Sequence, residues 1–165
     1  MPRIDLDAID HAILTCLQED GRVSNQDLAN KVGLSPSPCL RRVRQLEAAG
    51  LISGYVALLD PAALGLGVTA FVRVRLGEQG DRHLATFEAA VKALPEVMEC
   101  YLTTGEGDYQ LRVLVRSLAE FEDFLRHKLT PIDAVAQVTS SIALRPVVYR
   151  TALPTAKPQP GGRRG

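Results

Sequence analysis

SNQDLANKVGLSPSPCLRRVRQLEAAG, residues 24–50, decides how this chain is read. Ser24 is a good helix N-cap, and Asp27 three positions on resembles the acidic half of a capping box. Leu28, Ala29 and Val32 recur at helical spacing, so the first half predicts a short amphipathic helix. Gly33 can take the left-handed conformation that ends a helix and turns the chain. Ser35-Pro36-Ser37-Pro38 then keeps the chain extended until about Pro38, because a residue before proline is pushed away from helical geometry. Pro38 suits the first helical position with Ser37 as its cap. Beyond it Leu40, Val43 and Leu46 point one way, while Arg41, Arg42, Arg44 and Gln45 occupy the flanks and outer face. A short helix, a glycine turn and a basic second helix form the helix-turn-helix pattern that lays its second helix in the major groove of DNA.

Upstream, residues 7–20 predict a preceding helix through Ile9, Ile13, Cys16 and Leu17, with Gly21 as its stop. Gly50 ends the third helix. The charge is divided unevenly. The chain of 165 residues has no formal net charge, yet between Leu28 and Leu46 there are four basic residues (Lys31, Arg41, Arg42, Arg44) and no acid. Asp5, Asp7, Asp10, Glu19 and Asp20 gather on the first helix. A phosphate backbone meets local charge rather than the sum.

Apolar residues make up 46% of the chain, enough for a packed core. The three cysteines, Cys16, Cys39 and Cys100, are odd in number and far apart, which reads as small buried groups in a reducing compartment. His11, His83 and His127 lack ligand spacing, so neither a metal nor another cofactor is expected. With no signal peptide and no membrane-spanning apolar run, the expected location is the cytoplasm.

After the three-helix unit (residues 1–52), residues 53–66 read as a connecting strand or linker. The apolar run LISGYVALL (51–59) is closed by Asp60-Pro61, and Gly65-Leu66-Gly67 marks the entry to a second domain over residues 67–150. Residues 69–76 (TAFVRVRL) alternate, with Ala70, Val72, Val74 and Leu76 on one face and Arg73 and Arg75 on the other. Residues 82–94 predict a helix, 97–104 a strand, and 105–108 a turn. Residues 109–116 form the answering strand. Ser117 and Glu120 cap a helix over 118–129, and residues 135–144 form the last strand. The order βαββαβ is that of a ferredoxin-like sandwich, with two helices on one face of an antiparallel sheet. The whole is therefore an α+β chain: an N-terminal three-helix (winged) helix-turn-helix domain plus a C-terminal ferredoxin-like sandwich. Phe71, Tyr101, Leu114 and Ala143 leave the other sheet face half apolar, which implies packing against a second copy. Residues 151–165, rich in Pro and Gly, read as a flexible tail.

The candidate DNA contacts are Ser24, Asn25, Lys31, Ser35, Ser37, Pro38, Arg41, Arg42, Arg44 and Gln45. Three arginines could also form an ordinary solvated helix face. Their freedom from local acids and the proline-defined helix start favour DNA, with Ser24 and Lys31 positioning the backbone. The loop Thr104-Gly105-Glu106-Gly107-Asp108-Tyr109 is the second candidate. A glycine-rich hairpin needs no ligand, but exposed backbone N–H groups here could hold a carboxylate, with Asp108 receiving an ammonium. No nucleophile–base set can be assembled, so an enzyme is not expected.

On the blocks IDHAILTCLQEDGR, VGLSPSPCLRRVRQLEAAGLISGY and ECYLTTGEGDYQLRV, the chain resembles the Lrp/AsnC (leucine-responsive and asparagine-responsive, or feast/famine) transcription regulators. The likeness runs from about residue 6 to residue 148, and the middle block is similar to the leucine-type branch. The resemblance implies an N-terminal DNA-binding domain on double-stranded DNA and a C-terminal domain that binds a small amino-acid effector. It also implies homodimers that assemble further, up to octamers. By the same resemblance the effector site combines the loop residues with Leu102 before it and with Ser140, Ser141 and Ile142 on the last strand, between neighbouring dimers. Ser141 stands where the leucine-responsive regulator has tyrosine, so the identity of the effector is open. Two other readings keep their place: an architectural DNA-binding protein without an effector, and a small enzyme on a dimeric ferredoxin-like fold.

Overall fold

The computed structural model describes residues 5–77 and 80–155, which fall into two compact units. Residues 5–58 and 148–155 form the first, and residues 59–147 the second.

The first unit holds α1 (Ala8–Glu19), α2 (Asn25–Val32) and α3 (Pro36–Ala48). Asp7 caps α1 in a full capping box: its carboxylate accepts from the Ile9 and Asp10 N–H groups at 2.9 Å, and Asp10 accepts from the Asp7 N–H at 3.2 Å. At α2 the arrangement is different. Ser24 Oγ accepts from the Asp27 N–H and donates to the Asp27 carboxylate at 2.6 Å, so Asp27 serves the cap through the hydroxyl. Gly33 ends α2 at φ 71°, as its left-handed turn requires.

The start of α3 departs from expectation. It begins at Pro36, with Ser35 as N-cap, so Ser37 and Pro38 lie inside the first turn. Two prolines are tolerated there because first-turn N–H groups have no intrahelical acceptor to lose. Ile13, Leu28, Ala29, Cys39, Val43 and Leu46 form the buried centre of the three helices. Residues 52–60 carry no helix and no hydrogen-bonded strand, so the connecting strand expected there is unpaired among the described residues. The first part of the expected tail is tied down. Gln18 holds the Leu153 backbone from both ends of its amide, accepting the N–H at 2.6 Å and donating to the carbonyl at 3.3 Å. Residues 156–165 of that tail lie outside the described residues.

The second unit is a four-stranded antiparallel sheet of β1 (Val68–Leu76), β2 (Val97–Leu102), β3 (Tyr109–Val115) and β4 (Val135–Ile142), ordered β2-β3-β1-β4. Strand alternation puts Ala70, Val72 and Val74 of β1 and Leu111 and Val113 of β3 against α4 (Asp81–Lys92) and α5 (Leu118–Asp123). That is the ferredoxin-like arrangement. Residues 124–129, expected to continue α5, wind instead as a π-helical turn. Buried Phe124 and Leu129 explain it. Five α-helical residues would leave the second about 140° from the first, whereas the wider turn returns both to the core. The opposite sheet face exposes Phe71 (44%) and Tyr101 (59%) beside Arg73 and Arg75, whereas Leu114 is covered. Among the described residues no helix is long and apolar enough to cross a membrane.

Candidate functional site

The first candidate face is the outer side of α3. Ser37, Leu40, Arg41, Arg44, Gln45 and Ala48 line one shallow groove of about 350 Å³, opposite the buried Cys39, Val43 and Leu46. Arg41 and Arg44 are exposed, and neither carries an ion pair among the described residues. Arg42 does not share that freedom. Its guanidinium lies 2.7 Å from the Asp7 carboxylate and 2.8 Å from that of Asp10. At 100° per residue, Arg42 swings off the outer stripe and towards α1, where the first helix has concentrated its acids. Arg42, expected among the DNA contacts, is held in a tie between α1 and α3.

Asn25, also expected there, has an internal partner too. Its side-chain amide donates to the Pro36 carbonyl at 2.9 Å, fixing the entry of α3 against the start of α2. Ser24 is spent on its cap. Ser35 begins α3 without a side-chain capping bond, Pro38 is half-buried, and Lys31 is exposed in the last turn of α2.

The tie between α1 and α3 has an electrostatic signature. The Asp10 backbone N–H, and after it the Arg42 guanidinium, hold the Asp7 carboxyl below the usual carboxylate range, although desolvation opposes them. Asp10 and then Asp7 push Arg42 further above its ordinary value. A carboxyl with a lowered folded pKa adds stability that is present above its unfolded pKa and is lost as pH falls through the folded one. Thermal denaturation of the first unit is therefore expected to lose midpoint on acidification through the carboxylate range. Asp7→Asn should be less stable than wild type at neutral pH and should lose less on acidification. Equal acid sensitivity of the two proteins would refute the tie.

The second candidate lies where the β2–β3 loop meets the open sheet face. Gly105, Glu106, Gly107 and Asp108 form one wall of a groove of about 380 Å³, and Arg73, Arg75, Gln137 and Thr139 form the rest. Asp108 anchors the loop to β1: its N–H donates to the Val74 carbonyl at 2.9 Å, and its carboxylate accepts from the Leu76 N–H at 2.7 Å. Thr103 closes the hairpin by donating to the Asp108 and Gly107 carbonyls. Arg73 lies across Gly107 and reaches Glu106 at 3.5 Å.

The structure divides the residues expected around this loop. Residues directly opposite in antiparallel strands share a face. Ser141 pairs with Phe71 and so lies on the open face, one row beyond the Arg73–Thr139 pair. Ser140 pairs with Val72 and Ile142 with Ala70, which gives both the helix-facing phase. Leu102 pairs with Tyr109 and takes that same phase. Tyr109 is a core residue. It is 1% exposed, its ring centroid is 4.6 Å from that of Phe87, and its hydroxyl donates to Glu88 at 2.9 Å. Burial, then Glu88, pushes its pKa upward. Thr104 is exposed but does not line the groove.

Four groove residues were missed in the sequence: Arg73, Arg75, Gln137 and Thr139. The only local signal was the alternation that turned the two arginines outward. The pairing of β1 with β4 that sets Thr139 beside Arg73 and Gln137 beside Arg75 is long-range.

Two family models match the chain: a winged helix-turn-helix DNA-binding model at residues 6–53 and the Lrp/AsnC ligand binding domain at residues 69–153. The chain is 46% identical over 145 residues to a leucine-responsive regulatory protein of Rhizobium meliloti, covering 88% of this chain and 93% of that one. It is 47% identical over 150 residues to the Bkd operon transcriptional regulator of Pseudomonas aeruginosa, covering 91% and 98%. Among solved structures, a transcriptional regulator of Neisseria meningitidis in complex with L-Met superposes with a TM-score of 0.88 at 41% identity, over 91% of this chain and 97% of that one.

Proposed function

The chain belongs to the Lrp/AsnC family of transcriptional regulators, and from that premise we propose that α3 reads an operator while the groove beside the Gly105–Asp108 loop receives an amino-acid effector. It is a DNA-binding transcriptional regulator rather than an enzyme. The observation that carries the DNA half is the pair Arg41 and Arg44, exposed on α3 with no ion-pair partner among the described residues. An electroneutral chain that leaves these two guanidinium groups unmatched on one helix presents phosphates with a local positive field.

For the effector half, the groove is lined by a glycine-rich loop, two arginines and two acidic residues, a set that suits the charged end of an amino acid. A side chain on the effector would be met by residues outside this set. The relative bound to L-Met supports an amino acid as the class. The exposed Phe71 and Tyr101, with Val56, Leu58 and Leu59 on the unpaired segment, support a homodimer assembling further. A dimer would set two copies of α3 in successive major grooves about 34 Å apart. The protein would work on DNA in the cytoplasm.

An effector acts only through different affinity for two assemblies. The test is a panel of the common amino acids at millimolar concentration, read by thermal denaturation and by sedimentation. A ligand at about a hundredfold its Kd adds about 2.7 kcal/mol to native stability. At least one amino acid should raise the midpoint, and the same one should change operator affinity or assembly. No shift with any of them would favour an architectural DNA-binding protein.

A further inference from the structure

Leu40 was expected to point into the core with Val43 and Leu46, but it is 38% exposed and lies with Ser37, Arg41, Arg44, Gln45 and Ala48 on the outer groove of α3. It is the one large apolar side chain in that set. Single exposed leucines are common on protein surfaces and usually need no explanation. Leu40 differs by its setting. It is the fifth residue of a helix that starts at Pro36, so it sits in the N-terminal half, the part of a recognition helix that enters the groove first. Ser37 and Arg44, three residues before and four after it, adjoin it on the helix surface. Helical side chains also lean towards the N-terminus, which tilts Leu40 further towards the entering end.

The chemistry narrows what such a side chain can read. Guanine presents two acceptors in the major groove, adenine an acceptor and a donor, and cytosine a donor. An isobutyl group against any of these edges strips water from a polar atom and returns no hydrogen bond. Thymine alone adds an apolar group, its 5-methyl. We infer that Leu40 is a specificity-determining residue that selects a thymine in each half-site by packing against that methyl, while Arg41 and Arg44 hold guanine edges or phosphates on either side. This rests on the DNA-binding reading of α3.

The experiment uses the full chain. Duplexes selected by the wild-type protein from a random pool define the site, and each thymine is then replaced singly by deoxyuridine, which keeps the base pair and removes only the methyl. Gel shifts compare wild type, Leu40→Ala, Leu40→Met, and the Arg41→Ala and Arg44→Ala variants. Wild type should lose about fourfold in affinity at one thymine per half-site, the worth of one methyl buried against an apolar side chain. Leu40→Ala should show no penalty there, and Leu40→Met should keep most of it, which separates loss of the methyl packing from loss of the fold. A wild-type protein indifferent to every deoxyuridine, or the same penalty retained in Leu40→Ala, overturns the inference. If those results come with weakened binding by the arginine variants, the DNA-binding reading still stands. Wild-type affinity in Arg41→Ala and Arg44→Ala alike would overturn that reading and the role of Leu40 with it.

Discussion

Combining Arg41→Ala with Arg44→Ala should lower operator affinity by about a hundredfold or more, with the thermal midpoint and oligomeric state unchanged. A well-placed guanidinium on a base edge is worth about 1–3 kcal/mol of discrimination, and removing an arginine from a phosphate reduces the salt dependence of binding by about one ion. Both side chains are exposed and carry no ion pair among the described residues, so removing them leaves no orphaned partner inside the protein. Gel shifts at several salt concentrations separate the roles. An arginine on a phosphate strengthens binding to all sequences alike, so its removal flattens the salt slope, whereas removing one from a guanine edge relaxes preference at a single position. Arg42 provides the contrast. Its alanine variant strands Asp7 and Asp10 and should act first on thermal stability, with affinity falling only as the helices lose their alignment. Unchanged affinity in the double variant would sink the assignment of α3 as the DNA-reading helix.

Gly107→Ala should abolish the response to the effector while leaving DNA binding intact. A Cβ at Gly107 would lie 2.4 Å from Arg73 Cγ and 2.7 Å from its Cδ, well inside contact distance. These atoms are near the root of the side chain, so Arg73 cannot yield by moving its tip. It must change rotamer, and its guanidinium leaves both Glu106 and the groove. The loop is pinned from the other side by the bonds of Asp108 to β1, so it has little freedom to retreat instead. The measurement is the effector-induced rise in thermal midpoint, expected to vanish in Gly107→Ala and in Arg73→Ala. If the glycine acts through the arginine, the double variant is no worse than either single one. A full effector response in Gly107→Ala would remove the groove from consideration as the binding site.

The helix-turn-helix was legible because its signals are local. Ser24, Gly33 and the helical spacing of apolar positions each act within a turn or two of chain, and the order of neighbouring residues exposes them. The same holds for the βαββαβ order, since a switch from period 3.6 to period 2 can be read without knowing what packs on what. The start of α3 was misplaced by two residues because proline's steric rule opposes helix at Ser35 and Ser37 alike, while the first-turn exemption that admits Pro36 depends on where the turn itself begins. The π-helical turn after Asp123 was not visible, because it answers to the positions of Phe124 and Leu129 in a core built by distant strands.

Apart from residues 52–60 and the turn after Asp123, sequence alone determined which segments are helices and strands, where the basic stretch lies and that the two halves have different folds, since these follow from neighbours along the chain. Only the tertiary structure decided which of the three arginines carry an ion pair among the described residues. Arg41, Arg42 and Arg44 are equal in charge and close in sequence, yet the packing of α1 against α3 gives Arg42 alone to Asp7 and Asp10. It likewise put Arg73 over Gly107, Tyr109 in the core and Leu40 outside it. Strand register and helix rotation are settled by the burial of a whole face at once, and no single residue carries that information.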